Sequence, residues 1–233
     1  MSIADNVKRI RERAAQAAIR SGRRPEDIAL VAASKMNGAE RVREAYDAGI
    51  RIFGENRVQE MLEKLSKGAY EGAELHLIGS LQKNKVRNVV GRVSLIQSVD
   101  SLGLMEEISR RAATAGIVQD VLIEVNVGRE PSKSGVFEET LADMLAQTAA
   151  YPGIRVMGLM AIPPAEDDAA EARKYFDTME KLFVDMSVKK YDNVFMSILS
   201  MGMSGDFEEA IAAGATMVRV GSSIFGARDY PAR

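Results

Sequence analysis

One lysine near the start of the chain and two turns near its end have the residue types and neighbours that chemistry would need. The turns are Ser200-Met201-Gly202-Met203-Ser204 and Gly221-Ser222-Ser223, both built from small residues. Each follows an apolar, strand-like run and precedes a helix-like or helix-starting one. Backbone N–H groups and small hydroxyls in such places make an anion site, and a phosphate suits it. Between the turns, Ala215–Val220 (ATMVRV) sets one cation, Arg219, among apolar neighbours. Lys35 comes just after Ile28–Ala33 (IALVAA), a short continuous apolar run that reads as a buried strand. An amine at a strand exit is partly desolvated, which lowers its pKa and makes it a nucleophile for aldehydes. The plain alternative is a surface lysine past a strand end. An amine beside a phosphate site suggests either a Schiff-base aldolase or a pyridoxal phosphate protein. In the second case an arginine beside the pyridine nitrogen would neither accept nor release a proton. The ring would then remain a weak electron sink.

The elements that must position these residues repeat with one rhythm. Ile3–Arg20 has helical spacing, with Ser2 or Asp5 as cap and Gly22 and Pro25 beyond its end. Strands are then expected at Ile28–Ala33, Ile50–Phe53, Leu75–Ile78, Leu95–Val99, Asp120–Val127, Ile154–Met160, Val194–Leu199 and Thr216–Val220. Helices are expected at Ala39–Ala48, Val58–Leu65, Lys83–Val90, Leu102–Ala115, Val136–Ala150, Ala169–Met186 and Phe207–Ala213. Eight alternating units with short loops predict one (β/α)₈ barrel domain over residues 1–233 with an extra N-terminal helix; a doubly wound open sheet is the alternative. In a barrel the strand exits gather the chemistry. Lys35, Gly54-Glu55-Asn56, Gly79-Ser80, Asn126, Met160–Ile162 and the two turns would then share one end. Pro163–Ala170 (PPAEDDAA) reads as a solvated acidic loop.

Composition narrows the chemistry. The 233 residues are 46% hydrophobic and 27% charged, ordinary for a globular protein. There is no cysteine, so disulfides and thiolate chemistry are excluded, and the single histidine, His76, excludes a multi-histidine metal site. A net charge of −2 exerts no general pull on nucleic acid or anionic membrane. The charged N-terminus lacks a signal-peptide core and no run is long enough to span a membrane, which predicts a cytoplasmic protein. His76, in Leu75-His76-Leu77, reads first as a satisfied core residue. Leu81–Lys85 either lines the mouth or is solvated. Ser132-Lys133-Ser134-Gly135 is a cover for the site or a loop with Ser134 as helix cap.

The chain resembles the YggS/PROSC family of pyridoxal 5′-phosphate homeostasis proteins. The match runs from about Val7 to Tyr230 through Ala33-Ser34-Lys35, FGENRVQE from Phe53, HLIGSLQKNK from His76, EVNVGREPSKSG from Glu124, GLMAIP from Gly158, and SMGMSGDFEEAIAAGATMVRVGSSIFGARDY from Ser200. The resemblance implies the type III fold, like the N-terminal barrel of alanine racemase but without its C-terminal β-domain. It implies pyridoxal phosphate, the active form of vitamin B6, held as a Schiff base on Lys35. Arg219 would face the pyridine nitrogen, Ser200, Gly221 and Ser222 would hold the phosphate, and Asn56 would lie near the ring. It further implies a monomeric, non-catalytic carrier or regulator, with pyridoxal phosphate-dependent apoenzymes as recipients and no metal. The alternative is a slow single-domain racemase, for which Lys133 or Tyr230 would supply the second acid–base group. Three departures from the family pattern stand out: Met36-Asn37 after the lysine, Gly205 after SMGMS, and Ser222 where threonine is common.

Overall fold

The computed structural model of the protein describes residues 1–164 and 169–226. Tyr230 and residues 165–168 of the acidic loop lie outside them. Eight parallel strands close into a barrel in sequence order: β1 (Ala29–Ala33), β2 (Ile52–Glu55), β3 (Glu74–Leu77), β4 (Leu95–Val99), β5 (Gln119–Glu124), β6 (Ile154–Met160), β7 (Val194–Ser200) and β8 (Met217–Val220). Closure comes from β1 pairing with β8, in register Ala29↔Met217 through Ala32↔Val220, which decides against the open sheet. Helices α1 (Ile3–Arg20), α2 (Ala39–Asp47), α3 (Val58–Ser66), α4 (Leu102–Thr114), α5 (Glu138–Ala146), α6 (Ala169–Ser187), α7 (Phe207–Ala212) and α8 (Ser222–Phe225) accompany them.

Two expected helices differ. Lys83–Asn88 is a 3₁₀ helix, and the helix expected over Val136–Ala150 is α5 followed by a separate 3₁₀ turn at Thr148–Ala150. Ser134 does not cap α5, whose N-cap is Phe137 without a side-chain bond; its hydroxyl meets Ser80 Oγ at 3.4 Å instead. At the N-terminus, Ser2 and Asp5 form a reciprocal capping box on α1.

Strand alternation decides what faces the barrel interior. The outward residues Ala32, Phe53, Leu77, Ile96, Ile123, Leu159 and Val218 belong to the large core shared with the helices. The inward residues Val31, Leu95, Leu122, Met160 and Met217 form a separate, smaller apolar layer. Two residues further along β4, β5 and β8, the same inward alternation carries Gln97, Glu124 and Arg219, all buried. The interior is therefore apolar below and polar towards the strand exits. α1 buries Ile3, Val7, Ile10, Ala14, Ala17 and Ala18, and its Asn6 amide donates to Ile224 O of α8 at 2.9 Å.

Candidate functional site

Lys35 leaves β1 half-buried, and a charged network grips the backbone on both sides of it. On one side, Lys64 Nζ from α3 donates to Ser34 O at 2.7 Å, to Glu55 Oε1 at 2.6 Å and to Glu60 Oε1 at 2.7 Å. On the other, Met36 stands in the left-handed region at φ 63°, and its N–H donates to Glu60 Oε1. Ser34 Oγ and Tyr70 OH also donate to Glu55 Oε1, at 2.6 and 2.7 Å. Burial, with Glu55 beside it, pushes the Tyr70 phenol above its ordinary range. The two peptide groups flanking the lysine are thus fixed by α3, while its side chain faces a cavity.

Arg219 is held quite differently. It is only 3% exposed, and none of the ion pairs among the described residues includes it. One guanidinium nitrogen donates to Ser200 Oγ at 2.6 Å and the other to Ala161 O at 2.8 Å. Ser200 Oγ in turn donates to Gln97 Oε1 at 2.7 Å. The Gln97 amide nitrogen then serves His76 Nδ1 at 3.0 Å and Met217 Sδ at 3.2 Å. Since that nitrogen can only donate, His76 accepts at Nδ1 and carries its proton on Nε2, which faces Glu74 Oε2 at 3.6 Å. Burial lowers the His76 pKa to about 4, so the imidazole is neutral near pH 7. Burial also lowers Arg219 to about 10, against the attraction of Glu124 and Asp206, and it remains a cation.

The turn after β7 and the turn after β8 meet at Ser204. The N–H groups of Gly221 and Ser223 converge on Ser204 Oγ, at 3.1 and 3.4 Å. They define a seat for one oxygen atom. At Gly221 a Cβ would come within 3.2 Å of Ala33 O, so a side chain here would crowd the turn against β1. Gly202 makes the other turn, at φ 89°, where a Cβ would stand 2.5 Å from Ala210 Cβ.

A cavity of 360 Å³ joins these parts, lined by Lys35, Asn56, Ile78, Ser204, Arg219 and Gly221, with Ser222 at its edge. Asn56 Oδ1 is buried there without a hydrogen-bond partner. A second lobe of 240 Å³ shares Asn56, Ile78 and Ile162 and continues to Glu124, Asn126 and Lys133. Glu124 is 7% exposed; burial, and then Asp100, raise its pKa to about 7, with Arg219 acting against them. A larger hollow of 500 Å³ lies at the opposite barrel end, between α1 and the starts of β1 and β2. Leu30, Ile50 and Ile52 line it, with Arg11, Glu26 and Arg51 among the other lining residues.

Five expected residues, Lys35, Asn56, Arg219, Gly221 and Ser222, therefore share one cavity. Ser200, expected at the phosphate, does not line it. Its side chain is fully buried beneath Arg219, with the hydroxyl accepting from the guanidinium and donating to Gln97. Ser204 stands in the place expected of it. Gln97, Glu124 and Lys64 were missed; the first two did leave a signal, a polar residue inside the apolar strand runs SLIQSV and DVLIEV.

The alanine racemase N-terminal domain model matches residues 2–229. The pyridoxal phosphate homeostasis protein of Aquifex aeolicus is 44% identical over 230 residues, covering 99% of this chain and 100% of that one. PipY of Synechococcus elongatus, solved with pyridoxal phosphate bound, superposes with a TM-score of 0.81 at 36% identity, over 93% of this chain and all of PipY. The alanine racemase of Corynebacterium glutamicum shares the fold, with a TM-score of 0.70 at 16% identity, over 97% of this chain and 62% of its own. With its closed barrel and its match along nearly the whole length, the chain belongs to the alanine racemase N-terminal domain family, among the pyridoxal phosphate homeostasis proteins.

Proposed function

We propose that this protein binds pyridoxal 5′-phosphate as a Schiff base on Lys35 and acts as a cytoplasmic, monomeric carrier or regulator of that cofactor. The observation that carries the reading is the meeting of an amine, a two-N–H oxygen seat and a fixed guanidinium in one cavity. The residues present fit the group. The Gly221 and Ser223 N–H groups, which converge on Ser204 Oγ, would fit one phosphate oxygen in its place, with the Ser222 hydroxyl beside it. The orphaned Asn56 Oδ1 is an acceptor awaiting a donor. When bound, the cofactor supplies an aldehyde carbon for an amine and a ring that can draw electrons from it.

The residues around it favour holding over turnover. Arg219 keeps its proton near pH 7 and would not pass it to a ring nitrogen. Lys133, the candidate second acid–base group of a racemase, is ion-paired with Glu130 at 2.6 Å. Among the described residues no helix is long and apolar enough to cross a membrane. Apoenzymes that need the cofactor are the expected recipients.

The test is the near-ultraviolet and visible spectrum of the purified protein, before and after borohydride, with peptide mapping. The expected result is a band that reduction fixes onto Lys35. A colourless protein that takes up no added cofactor would favour the aldolase instead. Solvent deuterium entering Cα of an amino acid faster than with cofactor alone would favour the racemase.

A further inference from the structure

We propose that the lobe beside Lys35 binds the ammonium group of a small primary amine through the Glu124 carboxylate, and that this amine displaces Lys35 from the cofactor. The second half of the proposal rests on Lys35 being the anchor.

Glu124 ends β5 facing inward and is only 7% exposed, and among the described residues no hydrogen bond or ion pair reaches its carboxylate. A buried carboxylate without a partner is costly, and a donor brought by a ligand relieves that cost. Its charged neighbours point to a cation. Asp100, past the end of β4, adds negative charge beside it. Arg219 is the opposing charge, but it forms no ion pair with Glu124, and its bonds go to Ser200 and Ala161. Lys133, at the same lobe, is matched by Glu130 at 2.6 Å and so does not neutralise Glu124. The rest of the lining is uncharged: the polar Asn56, Asn126, Ser80 and Ser134 beside the apolar Ile78, Val125 and Ile162.

The position suits an exchange. An amine arrives at neutral pH as an ammonium and cannot attack until it loses a proton. A carboxylate whose pKa burial has raised to about 7 is matched to take it. The lobe opens onto the Lys35 cavity along Asn56, Ile78 and Ile162. The exchange needs no further reactant. The entering nitrogen forms a bond to the carbon that Lys35 holds, and the bond from that carbon to the Lys35 nitrogen breaks. The three protons of the entering ammonium end on the departing Lys35 ammonium, one of them by way of Glu124, and no electrons are gained or lost.

The probe is n-propylamine, with n-propanol as its uncharged isostere. It is titrated calorimetrically into the cofactor-free protein and into Glu124→Gln, and the rate at which each loaded protein releases cofactor is followed against amine concentration. The wild type should bind propylamine saturably and propanol not at all, and Glu124→Gln should bind the amine at least about tenfold more weakly. Release from the wild type should accelerate to a plateau that the variant lacks. Equal affinity in both proteins, equal binding of propanol, or release strictly linear in amine would overturn the proposal. The wild-type comparison of amine with alcohol decides even if the variant fails to fold. A protein that binds the amine but takes up no pyridoxal phosphate would support the subsite and sink the cofactor reading instead.

Discussion

The barrel mouth holds its nucleophile and its cation by opposite means. At Lys35 the fixing groups are ionic, and they act on the backbone: Lys64 takes the carbonyl before the lysine and Glu60 the N–H after it. At Arg219 the fixing groups are neutral, and they act on the side chain: Ser200, Gln97 and His76 form a relay across the interior. The difference follows from what each must do. An amine that makes and breaks bonds needs a rigid root and a mobile tip. A cation that must face a ligand needs a fixed head, and a carboxylate in contact would quench it.

The largest expected effect comes from breaking the ionic side. Lys64→Met would leave Glu55, which is fully buried, with only hydroxyl donors on Oε1 and none on Oε2. Removing one partner of a buried pair costs about 3–5 kcal/mol. Urea unfolding should show that loss, and Glu55→Gln added to Lys64→Met should restore part of it. A double variant no more stable than the single would mean that Glu55 was not the unpaired charge.

The neutral side is best probed by pH. His76 falls from 6.5 to about 4 in the fold, so its neutral form is favoured there. The stability it contributes is present above pH 6.5 and is lost as pH falls towards 4. Glu124 shifts the other way, from 4.5 to about 7. It favours the fold below pH 4.5, and that contribution is lost as pH rises through 7. Each shift is worth about 3 kcal/mol, and across their shared window the two oppose. The wild type should therefore show a muted dependence between pH 4.5 and 6.5. Glu124→Gln should lose stability on acidification, and His76→Gln should gain it. Parallel curves for all three proteins would break the comparison, because folding would then shift the titration of neither group.

How much of this was legible in the sequence depends on what fixes each feature. The eight strands follow from local apolar runs and end within about two residues of expectation at most positions. The β3–β4 connection did not, because KNKVRN carries helix-forming residues but only one buried apolar side chain, Val86, and closes as a 3₁₀ helix. Lys35, Asn56, Arg219, Gly221 and Ser222 stand out as polar or small residues at strand exits, and the barrel brings exits together. The bonds of Ser200 were not legible because its partners are set by register. Gln97 lies 103 residues away in sequence and Arg219 lies 19 away. The pairing Ser200↔Met217 is what turns the hydroxyl inward. Likewise nothing in the chain predicts that Lys64 will span from α3 to β1.

Ser200→Ala sharpens the distinction between holding a ligand and holding Arg219. Removing the hydroxyl strips a buried guanidinium nitrogen of its acceptor and leaves Gln97 Oε1 without a donor. Hydrogen bonds to charged groups are worth about 1.5–3 kcal/mol, so about 2 kcal/mol should be lost, with the urea m-value unchanged. If Ser200 supports Arg219, the loss appears in the cofactor-free protein and affects pyridoxal and pyridoxal phosphate binding alike. A stability like that of the wild type, with a loss confined to the phosphorylated vitamer, would return Ser200 to the phosphate.

The smallest effect tests whether the phosphate side has its own support, separate from both networks. Asn6 of α1 is 7% exposed and reaches Ile224 O at 2.9 Å, one turn beyond the Gly221-Ser222-Ser223 cradle. Arg41 of α2 holds the next carbonyl, that of Phe225. Together they pin α8, and hence the N–H pair that meets at Ser204 Oγ. Asn6→Leu keeps the volume and removes the bond, at a cost of about 1 kcal/mol. If the cradle seats a phosphate, pyridoxal phosphate should bind about fivefold more weakly, with pyridoxal, which lacks the phosphate, unchanged. A fall of the same size for both would locate the damage at Lys35 or Arg219. The cradle would then be rigid without α1, held by Ser204 and the close packing of Gly221 on Ala33 alone.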